Sequence, residues 1–268
     1  MNALAFNNSK VQQLRRLLGR RSSRYEDGFF VVEGPVLAAE VVSAGWNCQA
    51  QFWPEGAGDS VAGAGPVYEL AEGVLERVAS TENPQPPLTI VAMPSAERDV
   101  STLLMQAALV VVLDRVGDPG NLGTIVRSAE AAGADLVVVT PGSVDPYSPK
   151  VVRASAGALF HVPVVTALIE EVADSGLELF GSTSHDVVDR TTVPYTSTDL
   201  TGRIALVMGN EAAGLPTEWN DSAGPIRRWI TIPHMGRSES LNVAMATTVL
   251  AFEAARQRTS SLDETPLR

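Results

Sequence analysis

The stretch Ala108-Leu109-Val110-Val111-Val112-Leu113 is continuously apolar, and Asp114 ends it. It lacks the alternation of a strand with one wet face, so it suits a central strand of a parallel sheet covered on both sides. The residues after it fit that reading. The loop Gly117-Asp118-Pro119-Gly120-Asn121 leads into a helix with the apolar face Leu122, Ile125, Val126 and Ala129, a stop at Gly133, and a second strand at 136–139. Strand, helix and strand in this order form a βαβ unit. Helices near 150–158 and 168–175 and strands at 177–181 and 204–208 extend the pattern. The second half of the chain is therefore committed to a parallel α/β sheet.

The first half reads as a smaller α/β unit. Val11, Leu14, Leu17 and Leu18 fall at helical spacing, with Ser9 placed to cap and Gly19 to stop the helix. Residues 29–33 read as a strand, Gly34-Pro35 as a turn into a helix to about 44, and 50–53 as another strand. A loop at 54–66, a helix at 70–79 and a strand at 88–93 complete it. Phe29, Phe30 and Trp53 suit either a core or the stacking of an unpaired base. At 94–99 the pattern turns polar and non-periodic, which places a boundary between domains 1–97 and 98–268. The last segment, 229–258, starts as a strand and breaks at Pro233 and Gly236. It resumes as a helix whose Leu241, Met245, Val249 and Phe252 are expected to face the core.

Charge is unevenly placed. The chain carries a net charge of −11, yet its first 24 residues hold six basic side chains, Lys10, Arg15, Arg16, Arg20, Arg21 and Arg24, and no acid. An electropositive arm on an acidic protein can bind a polyanion locally; a solvated helix face is the alternative. One cysteine, Cys48, and three scattered histidines, His161, His185 and His234, give neither a disulfide nor metal-ligand spacing, so no metal is expected. No run of about eighteen apolar residues is present and the first residues do not read as a leader, so a cytoplasmic protein without membrane contact is expected.

Three loops follow strands in the second half, at the sheet end where ligands bind in open parallel folds. The first has glycines at 117, 120 and 123 in a G-x-x-G-x-x-G spacing with Asp118-Pro119 inside, which argues against a dinucleotide fingerprint. Four residues after Gly123 stands Arg127, off the apolar stripe. The second loop is Gly209-Asn210-Glu211-Ala212-Ala213-Gly214, and the third runs from Ile232 to Asn242 with Ser238 and Ser240 in it. Singly, each residue has a plain reading: Arg127 in a surface ion pair, Glu211 as a helix-start acid, Ser240 as a cap and His234 as structural.

Together they form a more specific pattern. D-x-x-N-x-G-x-x-x-R leading to Asn121, Gly123 and Arg127, then G-N-E-x-x-G from Gly209 to Gly214, then I-P-x-x-G-x-x-x-S-L-N-V-A from Ile232 to Ala244, closely resembles the three motifs of the SpoU RNA 2′-O-ribose methyltransferases of the SPOUT superfamily. Upstream, Phe30-Val31-Val32-Glu33-Gly34 and Ser80-Thr81-Glu82-Asn83-Pro84-Gln85 resemble the N-terminal RNA-binding domain that many members carry. The resemblance implies a parallel-sheet domain with a deep trefoil knot at its C-terminus. It further implies S-adenosylmethionine as cofactor and a homodimer joined through the C-terminal domain. By position, Asn121, Arg127, Glu211, Ser240 and Asn242 match the family's active-site residues, and Gly209, Ile232 and Leu241 its cofactor contacts. Lys150 and Arg153 match a further family segment near the site or its scaffold, and join the arm's cations as RNA-contacting candidates. Ribosomal RNA is the expected substrate, with tRNA methylation, or a catalytically silent RNA-binding member, as alternatives.

Overall fold

The computed structural model describes residues 3–95, 99–184, 192–221, 223–237 and 240–261. Contacts divide the chain into two compact units, one of residues 1–98 with 145–161 and one of 99–144 with 162–268. Residues 96–98, within the expected boundary, lie outside the described residues, as do His185 and Ser238.

The first unit begins with α1 (Ser9–Gly19). Asn8, one residue before the expected cap, accepts the Lys10 amide, and Val11, Leu14, Leu17 and Leu18 are buried as the spacing predicts. After α2 (Arg21–Asp27) come β1 (Phe29–Glu33), α3 (Pro35–Ser43), β2 (Cys48–Pro54), β3 (Val67–Leu70), α4 (Val74–Val78) and β4 (Leu88–Ala92). The strands form one sheet in the order β1-β4-β2-β3, in which only β2 and β3 run parallel. The helix expected at 70–79 is shorter because Val67–Leu70 pairs with β2 as an edge strand and Gly73, at φ 74, turns the chain into the helix. Leu14, Leu17, Leu70, Leu75, Leu88 and Ile90 meet in the core between α1, α4 and the sheet.

Residues 145–161 pack into this same unit. They contain α7 (Pro149–Ala154) and a single 3-10 turn at Ala158–Phe160. The helix expected to reach 158 ends at 154, because Ala156 (φ 49) and Gly157 (φ 95) both take left-handed backbone. Phe30 packs against Trp46, Tyr147 and Phe160 at ring-centroid separations of 5.9, 5.1 and 6.5 Å. Phe30 and Trp53 are thus core aromatics rather than exposed stacking platforms.

The second unit is built on seven parallel strands. They are β5 (Leu109–Leu113), β6 (Leu136–Val139), β7 (Val164–Thr166), β8 (Glu178–Ser182), β9 (Thr192–Pro194), β10 (Ile204–Met208) and β11 (Arg228–Thr231), in the spatial order β7-β6-β5-β10-β8-β11-β9. The apolar run is the central strand it reads as: every residue of β5 is buried, with Val110 and Val112 facing the cluster that includes Leu104, Ile169 and Val172. Those three come from α5 (Val100–Gln106) and α8 (Ile169–Asp174). Helix α5 and the short strands β7 and β9 were not expected from periodicity, since segments of three to seven residues give it little to register.

Two long helices complete the unit, α6 (Pro119–Ala131) and α9 (Val243–Ser261), which pack along one another. Here the structure corrects one expectation. The core face of α9 is Ala244, Thr247, Leu250, Ala251 and Ala254, while Leu241 just before the helix, Met245 and Phe252 are 37, 63 and 48% exposed. Small residues let α9 approach α6 and β10 closely, and Ser128 and Thr248 share a hydroxyl hydrogen bond of 2.7 Å across the two helices. The larger side chains are left on the opposite face. No helix among the described residues is long and apolar enough to cross a membrane.

Candidate active site

The carboxyl ends of β5, β8, β10 and β11 bring four loops together. Asp118 caps α6 by accepting the Asn121 amide at 2.8 Å, with Pro119 in the first turn where its missing N–H costs nothing. Its neighbours donate elsewhere. The Gly117 and Asp118 amides both reach the Glu211 carboxylate, at 3.2 Å each. The Asn121 side-chain amide donates to the same carboxylate at 2.9 Å and accepts from Asn242 Nδ2 at 3.0 Å. Asn242 in turn caps α9, its Oδ1 accepting the Ala244 amide at 2.9 Å. Asn210 Nδ2 bonds the Arg115 carbonyl at 2.7 Å and reaches Glu211 at 3.4 Å, while its Oδ1 holds the amides of Ala212 and Ala213. A continuous line of hydrogen bonds, Asn210–Glu211–Asn121–Asn242, therefore ties the three sequence motifs to one another.

Glu211 is an acceptor rather than a proton carrier. Partial burial pushes its carboxyl up, but the bonds from Asn121, from its own amide and from the Gly117 and Asp118 amides outweigh this and leave it below the ordinary glutamate range. Four donors from other residues also occupy its oxygens, and a carboxylate so held is a weak base.

Beside this line opens a cleft of about 620 Å³, a size common for small-ligand sites. Gly209, Ile232, Ser240 and Leu241 line it, together with Glu211, Asn242 and His234. Gly209 is required sterically, because a Cβ there would lie 2.4 Å from the Gly214 carbonyl carbon and break the turn. Trp229 is 3% exposed and lies in the cleft wall, and its indole N–H has no partner among the described residues. Its ring occupies the space that a Cβ on Gly181 would need, at 2.8 Å.

Arg127 stands apart: it is exposed on α6, is not among the cleft-lining residues, and takes no hydrogen-bond or ion-pair partner among the described residues. Ser182, Thr183 and Ser184 were missed by sequence reading yet line the cleft. They follow the strand expected at 177–181, and the rule that ligands sit at the ends of parallel strands would have found them had this fourth loop been included.

The expected RNA-contacting cations belong to the first unit and differ among themselves. Lys10 lies 4.5 Å above the Tyr68 ring, Arg15 5.6 Å from Phe6 and Arg21 5.4 Å from Tyr25, while Arg16 pairs with Asp27 at 3.5 Å. These side chains, with Arg20 and Lys150, are exposed. Arg24 is not: it is 4% exposed, donates from Nε and Nη2 to Asp145 at 2.8 and 2.5 Å and from Nη1 to the Leu17 carbonyl. It anchors the unit and is removed from the RNA-facing set. Arg153 is half-buried and spends one nitrogen on Glu33 and Ser80, which ties α7 to β1 and to the loop after α4.

The fold and the cleft define a parallel α/β protein with a cleft of small-ligand size assembled from loops at the carboxyl ends of its strands. Comparison with known proteins gives the family. Residues 108–252 match the SpoU rRNA Methylase family and residues 8–89 the MRM3-like substrate binding domain; the chain belongs to the SpoU rRNA methylase family. It is 31% identical to the 23S rRNA (guanosine(2553)-2′-O)-methyltransferase RlmP of Bacillus subtilis, covering 91% of this chain and 95% of that one. Identity to the 23S rRNA (uridine(2479)-2′-O)-methyltransferase of Streptomyces viridochromogenes is 30%, over 94% and 91%. The crystal structure of AviRb from Streptomyces viridochromogenes in complex with AdoMet superposes with a TM-score of 0.81 at 30% identity, covering 95% and 99% of the two chains. An AdoMet-bound rRNA methyltransferase from Sinorhizobium meliloti gives 0.78 at 32% identity, covering 95% and 97%.

Proposed function

We propose that this protein is an S-adenosylmethionine-dependent methyltransferase that modifies a ribose 2′-hydroxyl in ribosomal RNA. The observation that carries the reading is the hydrogen-bonded line joining Asn210, Glu211, Asn121 and Asn242 beside the cleft. Family membership and the names of the two methyltransferases reported above support it. The cleft also suits the cofactor. It combines hydroxyls from Ser182, Thr183 and Ser240 with apolar Ile232 and Leu241, and the buried Trp229 N–H lacks a partner among the described residues. In this reading Gly209, Ile232 and Leu241 hold the cofactor.

When bound, S-adenosylmethionine supplies an electrophilic methyl group on its sulfonium. The protein's part is positioning and charge. Glu211 and Asn121 fix the first motif against the second, and Asn242 fixes both to α9, so that the accepting ribose meets a preformed site. Ser240 offers a hydroxyl at the cleft edge. Arg127, without a partner among the described residues, stabilises the charge that develops on the 2′-oxygen and pairs with the adjacent phosphate; a guanidinium stays protonated across the working pH range and so is a poor base. The Arg127→Ala variant is expected to lose roughly a hundredfold or more in methyl transfer, with Arg127→Lys recovering part of it. Wild-type rates in both variants would remove Arg127 from the chemistry.

The same proposal includes a C-terminal trefoil knot, cytoplasmic location and a homodimer. The exposed Leu241, Met245 and Phe252 on and beside α9 support pairing through this domain, since large apolar side chains left at a surface mark an interaction site. Residues 1–97 serve as the RNA-binding domain, with Lys10, Arg15, Arg16, Arg20 and Arg21 as its cations, and residues 98–268 as the transferase domain, whose segment 145–161 packs with the first unit and brings Lys150 and Arg153 in support. Mapping 2′-O-methyl marks in ribosomal RNA from cells with and without the protein tests the activity; an unchanged map overturns it. Sedimentation at micromolar concentration tests the dimer, and a monomer would remove it.

A further inference from the structure

Arg115 is the residue immediately after the carboxylate that ends the central strand, and its backbone is in the left-handed region at φ 51. Only Arg115 and Ala156 do this among the described non-glycine residues. A side chain in that region is disfavoured by contact of its Cβ with the backbone, and glycine would relieve the conflict. Strained residues persist where the surroundings hold them, and they cluster at functional sites.

The surroundings here are specific. The Arg115 amide donates to Thr140 Oγ1 at 3.1 Å, and its carbonyl accepts the Asn210 side chain at 2.7 Å, the same amide group that reaches Glu211. The backbone of Arg115 is thus part of the motif assembly. Its side chain is held by one edge only: Nε donates to Asp114 Oδ2 at 2.9 Å, while the other oxygen of that buried carboxylate accepts the Thr140 hydroxyl at 2.9 Å. The two terminal nitrogens take no partner among the described residues, and the side chain is 47% exposed.

Arginines used only to hold this unit together look different. Arg203 spends its guanidinium on the carbonyls of Leu104, Met105, Ala107 and Ser175, and Arg258 bonds those of Ala108, Leu200 and Gly202. Arg115 instead keeps a planar pair of N–H₂ groups in reserve, oriented by a buried carboxylate, at the strand end that carries the motifs. Such a fork matches the paired oxygens of a phosphate.

We infer that Arg115 grips a backbone phosphate of the RNA strand that carries the methyl-accepting ribose, and so sets the register of that strand at the site. This rests on the methyltransferase reading above. A phosphate contact of this kind positions the strand without reading its sequence.

The test compares full-length wild type with Arg115→Gly, Arg115→Ala and Arg115→Lys in methyl transfer to ribosomal RNA, alongside S-adenosylmethionine affinity, thermal melting and salt dependence. Glycine removes the guanidinium and relaxes the backbone, but it leaves the buried Asp114 carboxylate with the Thr140 hydroxyl as its side-chain partner among the described residues, so its melting temperature is expected to fall, though less than that of Arg115→Ala, which keeps the backbone strain. Cofactor affinity is expected to hold, while KM for RNA rises roughly tenfold, more than kcat falls, and the salt slope of RNA binding drops by about one. Lysine keeps the charge and part of the affinity. An unchanged KM and salt slope in Arg115→Gly overturns the inference, as does a loss of cofactor affinity that tracks a lower melting temperature in all three variants. If the wild type transfers no methyl group, the methyltransferase reading fails on its own. The salt slope of direct binding to ribosomal RNA fragments then decides separately whether Arg115 contacts phosphate.

Discussion

The side chains of Asp145 in the first unit and Glu211 in the second each collect four hydrogen bonds from other residues, yet they do different work. Asp145 takes two from the Arg24 guanidinium, one from the Tyr25 hydroxyl at 3.2 Å and one from the Tyr147 amide at 3.0 Å, and the ion-paired side chains are each 5% exposed. Glu211 takes all four from neutral amides, belongs to an exposed residue, and faces a cleft. A buried charge with a matched countercharge locks two segments permanently, because neither partner tolerates loss of the other. A carboxylate held by neutral donors beside solvent instead orders loops without the cost of burying an ion pair. The first arrangement is a scaffold, and the second suits a site that must admit a ligand.

The comparison breaks most sharply at Asp145. The Asp145→Ala variant leaves the Arg24 cation buried with only the Leu17 carbonyl, which should destabilise the protein by roughly 3–5 kcal/mol. Thermal or denaturant unfolding measures it. Replacing both partners, as Arg24→Met with Asp145→Leu, should recover part of the loss, because the apolar pair no longer carries an unmatched charge although the Tyr147 amide loses its acceptor. If the double variant is no better than the single, the pair is not acting as a matched lock.

Glu211→Gln should behave in the opposite sense. Glutamine keeps the shape but turns an N–H₂ toward donors such as the Gly117 or Asp118 amide, so at least one bond becomes a donor–donor conflict. Methyl transfer is expected to fall roughly a hundredfold, about 2.7 kcal/mol of barrier, while stability changes by less than about 1 kcal/mol. A variant that unfolds in step with its lost activity would make Glu211 a scaffold like Asp145.

The two regions were also unequally legible in the sequence. The apolar run at 108–113 announces a buried parallel strand, and the motif spacings pick out Asn121, Glu211 and Asn242, because local periodicity and fixed offsets are properties of sequence. Arg24 has no such signal. It is one of six cations in the arm, and its partner lies 121 residues away, so only the fold distinguishes it from Arg20 or Arg21. Helix α9 misleads for a related reason. Periodicity weighs large apolar side chains most, whereas close helix packing selects Ala244, Ala251 and Ala254 and leaves Met245 and Phe252 outside. Arg115 is invisible by the same logic, since its left-handed backbone is imposed by Thr140 and Asn210, 25 and 95 residues further along.

The smallest effect expected is one of pH, and it sharpens the contrast. Bonding that outweighs burial holds the Glu211 carboxyl below its ordinary value of 4.5, so folding and loop order gain from the ionised form. The sign follows: the contribution is fully present above the unfolded value and is lost as pH falls through the lower folded one. Cofactor affinity should therefore be flat from pH 8 to about 5.5 as far as this group is concerned, and decline only below the usual glutamate range, by less than about tenfold for so exposed a group. Glutamine at 211 cannot titrate, so the acid decline should be shallower in Glu211→Gln than in wild type when both are followed by calorimetric titration with S-adenosylmethionine. Parallel curves would assign the acid step to other carboxylates and leave Glu211 without a part in it.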